Sequence, residues 1–240
     1  MTANPLALNL LRRDTLSESE RAVVEEIVRS VQEAPADVEL VSEGEAPTMS
    51  TVILSGFAAR ANFLRSGSRQ LSAIHVPGDF IDLHSLLLAR MDHSVVTMTR
   101  CTFAKVPHQM LRDLTVREPH LMRVLWLLTV VDAAISRRWL IAVGRLGSQG
   151  QIAHFLCEMY TRLRAVQLAA DYRFELPLTQ VELGDTMGLS AVHINRTLQQ
   201  LRAERLIDWQ GTSVTLLDWR GLVSLSEFDP AYLNLQPHPR

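Results

Sequence analysis

Cysteine is nearly absent from this chain: Cys101 and Cys157 are its only two, and no Cys-x-x-Cys spacing occurs. A disulfide framework, a thiolate zinc site and a four-cysteine iron–sulfur cluster are therefore excluded within one chain. An excess of charge of either sign is missing too. Twenty-four Lys and Arg residues face 26 Asp and Glu, so overall charge names no partner, whereas many dedicated nucleic-acid binders are strongly basic. Long apolar runs are lacking. The longest, Val124 to Ile135, is broken by Thr129 and Asp132 and is too short to span a bilayer. The stretch from Met1 to Arg13 has no apolar core followed by a small-residue cleavage site, so no signal peptide is expected. There are no internal repeats and no low-complexity segments. What remains is a globular, cytoplasmic chain without a membrane partner, and 240 residues suffice for two domains that each bury a core.

Three regions of different character follow one another. Ser17 and Glu20 form a capping box ahead of Val23, Val24, Ile27 and Val28, which predicts a helix running towards Pro35. From Val38 to Pro107 short β-rich runs alternate with turn residues. The runs are 51–54, 57–64, 70–76, 95–98 and 102–106, separated by Gly44, Gly56, Gly67 and Pro77-Gly78-Asp79. That spacing reads as a β-barrel or jelly roll.

Pro119 then opens a long helix to about Val143, roughly 37 Å at 1.5 Å per residue. It carries two apolar stripes, one through Leu121, Leu125, Leu128, Ile135 and Trp139, the other through Val124, Leu127, Val131, Ala134 and Ile141. One stripe can face the β domain and the other a second copy of the chain, although a helix buried wholly in one core would also show both. Gly144 and Gly147 end the helix and suggest a hinge beside Trp139, and Ser148 can cap the next helix. The proline-bearing tail from Asp229 is expected to be loosely held.

The segment from Leu178 to Leu217 carries the most chemistry. Thr179 and Glu182 make a second capping box, with Val181 and Leu183 beginning an inward face. Gly188 falls at a sharp turn, Leu189 plugs the space between two helices, and Ser190 caps the second. In that second helix Ile194, Thr197, Leu198 and Leu201 share one side, leaving His193, Asn195, Arg196 and Gln199 on or near the other. Arg donates bidentately to guanine, and Asn or Gln pairs with adenine, in the major groove. Thr179, Gln180 and Ser190 sit at helix N-termini, which suit phosphate oxygens. The runs 206–209 and 214–217 complete the pattern as a hairpin, giving a winged helix. Arg196, Arg202 and Arg205 are the segment's only cations, and an ordinary helical hairpin with a solvated polar face is the competing reading.

The jelly-roll pattern with Gly56 and Pro77-Gly78-Asp79-Phe80, the long helix after Pro119 and the element 178–201 together resemble the Crp-Fnr family, the catabolite activator and fumarate–nitrate regulators, over nearly everything from Leu16 to Leu222. The resemblance implies an α+β chain. Residues 16–117 would form a cyclic-nucleotide-binding-like β-roll sensor, 118–145 a dimerisation helix, 146–222 a winged helix-turn-helix and 223–240 a tail. It implies a transcription regulator, not an enzyme, acting as a homodimer on double-stranded DNA with RNA polymerase as a further partner. Arg196 matches the guanine-reading arginine, and Ser190 and His193 match positions that touch phosphate or base edges. Ala191 and Val192 stand where relatives carry charged reading residues, and Asn195 offers a different base preference.

In cyclic-nucleotide members a Gly-Glu pair binds ribose and an Arg-Ser pair binds phosphate; the matching positions here read Asp82-Leu83 and His93-Ser94. An arginine has become a histidine that is mostly neutral at pH 7, so cyclic AMP is not expected to bind. Asp82, Leu83, His84, His93, Ser94, Ser136 and Arg137 mark the place of a small-molecule effector whose identity the sequence leaves open. No cofactor and no metal ligand set are expected. Two alternatives stand beside this reading: a cupin-like enzyme with a metal on His75, His84 and His93, and a nucleotide-binding module without DNA binding. Against the first, tight His-x-His sets are absent.

Overall fold

A computed structural model describes residues 4–238, which divide into two compact units. The first takes the described residues of 1–62, 73–133 and 234–240, and the second takes 63–72 and 134–233. Helix α1 (Pro5–Leu11) begins behind Asn4, whose side chain accepts from the Leu6 and Ala7 N–H groups, with proline in the first turn. Helix α2 (Glu18–Ile27) opens with the expected Ser17–Glu20 capping box. It ends at Ile27 rather than near Pro35, because Val31–Ala34 is drawn into a sheet as strand β1.

The other strands of this region are β2 (Glu39–Val41), β3 (Met49–Ser55), β4 (Ala58–Phe63), β5 (Arg69–His75), β6 (Ser94–Thr97) and β7 (Cys101–Pro107). Each of the five expected strands is present, with ends displaced by one or two residues. They form two antiparallel sheets, ordered β1-β7-β3 and β2-β6-β4-β5. Ile53, Ala58, Ile81, Val95 and Phe103 belong to one buried cluster, while Leu6, Leu10, Val24, Val52, Leu111 and Leu121 belong to another that joins helices to strand β3. A fully buried Leu or Ile is worth about 1.5–3 kcal/mol over an exposed one, and these clusters supply the stability of the unit.

A 3-10 turn, Leu83–Leu87, is pinned to the sheet by polar contacts. Asp82 accepts from the Thr51 N–H at 2.5 Å, and the Ser85 and Ser50 hydroxyls lie 3.0 and 3.3 Å from Nε2 of His108. Burial pushes the Asp82 carboxyl up to about 7 despite the Thr51 contacts that oppose it.

Helix α3 (His108–Arg117) leads into α4 (Pro119–Arg145), the expected long helix. Asp132, which interrupts its apolar pattern, forms an ion pair with Arg60 of β4 at 2.7 Å. The stripe through Leu121, Leu125, Leu128, Ile135 and Trp139 is buried within the protomer. Gly144 lies inside α4 and is not a hinge beyond it. Gly147, not Ser148, occupies the N-cap of α5 (Ser148–Ala165); Ser148 is its first helical residue and accepts from the Thr197 hydroxyl.

The second unit is built around α5, whose residues are almost all buried. Fully buried Glu158 accepts from Trp139 Nε1 at 3.1 Å, Arg162 Nη1 at 3.1 Å and the Tyr232 hydroxyl at 2.7 Å. Three donors, one of them a guanidinium, are what a buried carboxylate needs to offset its lost hydration. Trp139 is thus fixed in this network. The same network corrects the expectation of a loose tail. After helix α8 (Trp219–Ser226), Phe228 and Leu233 are buried, Pro230–Leu233 forms a 3-10 turn, and the His238 N–H donates to the Arg13 carbonyl at 3.0 Å.

Candidate nucleic-acid interface

Helices α6 (Gln180–Met187) and α7 (Ala191–Ala203) are joined by a turn at Gly188, which has φ +67°. Only glycine enters that left-handed region without cost. The Gly188 N–H closes α6 on the Gly184 carbonyl, and the Leu189 N–H reaches the same carbonyl at 3.1 Å. The chain comes back over α6 so closely that a Cβ on Gly184 would lie 2.4 Å from the Leu189 carbonyl oxygen. Gly184 is a determinant that sequence reasoning missed; its only signal is a glycine in the middle of a helix. Leu189 is half-buried between the helices, and Leu183 is buried. Val181, expected to face inward, is exposed because it falls on the solvent side of α6.

On α7 the buried side is Ile194, Thr197, Leu198 and Leu201, as the spacing predicts. Ser190 caps the helix by accepting from the His193 N–H at 3.2 Å and keeps its hydroxyl proton. The opposite side presents Val192, which is 82% exposed, with Arg196 and Gln199 exposed one and two turns later. Ala191, His193 and Asn195 flank this face and are half-buried. Arg196 makes no hydrogen bond or ion pair among the described residues, so its five donors are available. Arg202 is not: its guanidinium donates to the Trp209 carbonyl at 2.7 Å.

Thr179 caps α6 as expected, but its N–H and its hydroxyl both donate to the Glu182 carboxylate, at 2.7 and 2.8 Å. Neither is left for a phosphate, and Glu182 places a negative charge at that terminus. Gln180, half-buried at the first position of α6, is unaffected by this. Behind the helix pair lies an antiparallel sheet ordered β10-β11-β9-β8, made of β8 (Ala169–Ala170), β9 (Arg173–Glu175), β10 (Ile207–Gln210) and β11 (Ser213–Leu216). The hairpin β10–β11 is the expected wing, in register Trp209 to Val214. Strands β8 and β9 are too short to show in the sequence. In this unit Arg69 also pairs with Asp185 of α6 at 2.7 Å.

The residues nominated for an effector are divided between the two units. Asp82 and Leu83 are buried in the sheet unit and used by its packing, so Asp82 faces no open pocket. The Ser94 hydroxyl accepts from the Glu43 N–H at 3.1 Å. Ser136 and Arg137 lie on the part of α4 that belongs to the second unit. The structure does bring His84 and His93 together, with ring centroids 5.3 Å apart, and adds Asp92, whose Oδ1 lies 2.7 Å from Nδ1 of His93. Burial, reinforced by Arg60, holds the His93 imidazole down to about 4, and His84 is lowered by the same two causes. Both rings are neutral near pH 7. Cys101 and Cys157 are buried, and burial pushes the Cys157 thiol up to about 12, so it is unreactive.

Comparison with known proteins agrees with this architecture. The profile of the Crp-like helix-turn-helix domain matches residues 150–225, and that of the cyclic nucleotide-binding domain matches 31–118. The transcriptional activator protein FnrA of Stutzerimonas stutzeri is 24% identical over 228 residues, covering 92% of this chain and 87% of the relative. The anaerobic regulatory protein of Haemophilus influenzae is 22% identical over 88% of this chain and 82% of its own length. The structure of FixK2 from Bradyrhizobium japonicum superposes with a TM-score of 0.75 at 23% identity, over 83% of this chain and 98% of that one. The first two relatives are regulators rather than enzymes, and the cupin-like alternative finds no support among them. With both domains matched in the same order, and curated relatives aligned along most of its length, the chain belongs to the Crp-Fnr family of DNA-binding transcription regulators.

Proposed function

We propose that this regulator acts in the cytoplasm as a homodimer on a two-fold palindromic operator, reading each half-site with α7 in the major groove. The observation that carries this reading is the solvent face of α7, where Arg196 and Gln199 stand with uncommitted donors on a helix held rigidly by a buried opposite side. Arg196 reads a guanine edge, and Asn195 and Gln199 favour adenine. Val192 cannot accept a hydrogen bond; its exposed methyl groups suit a thymine methyl. Ala191 and His193 border the same edge. Ser190 and Gln180 contact phosphate, whereas Thr179 shapes the helix terminus. RNA polymerase is the further protein partner. We place the domain boundaries at 16–117, 118–145 and 146–222, with the packed tail residues up to Leu233 added to the last, since the second unit ends there. Among the described residues no helix is long and apolar enough to cross a membrane. Selection from a random duplex pool should enrich an inverted repeat whose half-site centres lie about 10–10.5 base pairs apart or a multiple of that. A pool with no enriched motif would refute the reading.

The sheet unit does not take cyclic AMP. No arginine replaces the phosphate partner at His93, and the nearby guanidinium of Arg60 is engaged by Asp132.

The dimer seam follows from what α4 leaves uncovered. Leu128 and Ile135, at 9% and 6% exposure, already serve the protomer core, so charge placed there would unfold the chain rather than split a dimer. The outward stripe runs through Leu127, Val130, Ala134 and Ile141, with Leu127, Ala134 and Ile141 in a seven-residue repeat and Val130 58% exposed. Val130→Glu should therefore leave a folded monomer by sedimentation and weaken operator binding by about 10²-fold or more, the loss expected when two linked half-site contacts become independent. A Val130→Glu protein that remains dimeric places the seam elsewhere.

A further inference from the structure

His84, on the 3-10 turn, and Asp92 and His93, just before β6, each bring one ligand atom to a common point, all within 4.8 Å of one another. They are the one such grouping of three found among the described residues. His93 is 4% exposed, and its Nε2 is buried with no hydrogen-bond partner. A buried imidazole nitrogen left unpaired is destabilising, a cost that a bound ligand would remove. The short contact from Asp92 Oδ1 to His93 Nδ1 leaves Nε2 as the ring's lone-pair nitrogen, and exposed Asp92 would exchange that contact for a bound ion.

The charge of the place selects a cation. The guanidinium that acts on both histidines, Arg60, is ion-paired with Asp132 at 2.7 Å. Its charge is thereby balanced, and Asp92 contributes a net negative charge with its side chain 77% exposed. An anion would be repelled. Two imidazoles and a carboxylate are ligands for first-row transition metals rather than for calcium or magnesium, which prefer oxygen. An ion at about 2.1 Å from its ligands holds tetrahedral ligand atoms about 3.4 Å apart. Adjustment of exposed Asp92 and half-buried His84 suffices to reach that spacing.

We propose that His84, Asp92 and His93 form a binding site for a divalent first-row transition metal ion, with three protein ligands and an open fourth position. This departs from the expectation of no metal ligand set, and it does not rest on the DNA-binding reading. The site lies in the sheet unit, so the ion would be an input to that unit and not part of the DNA interface.

Tag-free, chelator-treated full-length protein should bind one zinc ion per chain by calorimetry, and cobalt should give visible d–d absorption. His84→Ala and Asp92→Asn change accessible side chains and should leave the circular dichroism spectrum unchanged. Each should weaken zinc binding at least about tenfold, and the double variant should abolish the cobalt bands. Absence of zinc uptake at millimolar ion would overturn the proposal. So would uptake that persists unchanged in the double variant, which would put the ion elsewhere, for example near His120. Operator binding measured on the same samples keeps the two readings separate, since it can succeed or fail whatever the zinc result.

Discussion

Replacing Gly184 with alanine is expected to abolish operator binding and to destabilise the second unit by about 1–3 kcal/mol or more. The added Cβ would meet the Leu189 carbonyl oxygen at 2.4 Å, and that oxygen belongs to backbone, so no side-chain rotation relieves the clash. Either α6 shifts or the turn opens. The turn sets where Ser190 begins α7, so an opening there moves the whole reading face. A displacement of about 1 Å is enough to break bidentate pairing with base edges. Gly188→Ala provides the contrast. Its φ of +67° makes alanine strained, but nothing lies within 4 Å of a Cβ there. That variant should lose only about 1 kcal/mol and keep its operator. Denaturant unfolding and gel-shift titration of both variants check this. A Gly184→Ala protein with wild-type affinity would show that the turn is not the rigid element described.

The parts of the fold that were legible in the sequence are those written locally. Both capping boxes, the Gly188 turn and the two faces of α7 depend on residues a few positions apart, and all appear where expected. Strand β1 does not. Val31-Gln32-Glu33-Ala34 has a single buried residue and no alternation, and it becomes a strand only because β7, some seventy positions away, offers hydrogen bonds. The tail fails for the same reason. Its prolines suggested a loose end, while its order comes from Tyr232 reaching Glu158 and from Phe228 and Leu233 entering the core. At the interface, Arg196 and Ser190 were legible and the commitment of Thr179 to Glu182 was not. The capping box announced Glu182 but could not show that it takes both donors of Thr179. His84 and His93 could be nominated together from their place in the sequence; that they meet at one point with Asp92, and without His75, is a property of the turn between them.

Replacing Arg196 with alanine should reduce operator affinity by about 1–3 kcal/mol per half-site and relax preference at one base position in each. The guanidinium is exposed on α7 and makes no partner among the described residues, so its removal costs the free protein nothing. The loss is confined to the complex, where a guanine O6 and N7 would go unpaired. With both half-sites affected, the total reaches about 2–6 kcal/mol, roughly thirtyfold to more than ten-thousandfold in affinity. Replacing Ser190 with alanine should act differently. Its hydroxyl caps α7 and, in the proposed complex, would contact phosphate, so all sequences should weaken by a similar factor and the selected motif should not change. Binding-site selection on wild type, Arg196→Ala and Ser190→Ala side by side separates the two roles. The expected result is one guanine position per half-site lost only with Arg196→Ala, the thymine opposite Val192 being kept in all three. If wild type and Arg196→Ala select the same motif with equal affinity, Arg196 does not read a base, and the helix enters the groove by another face.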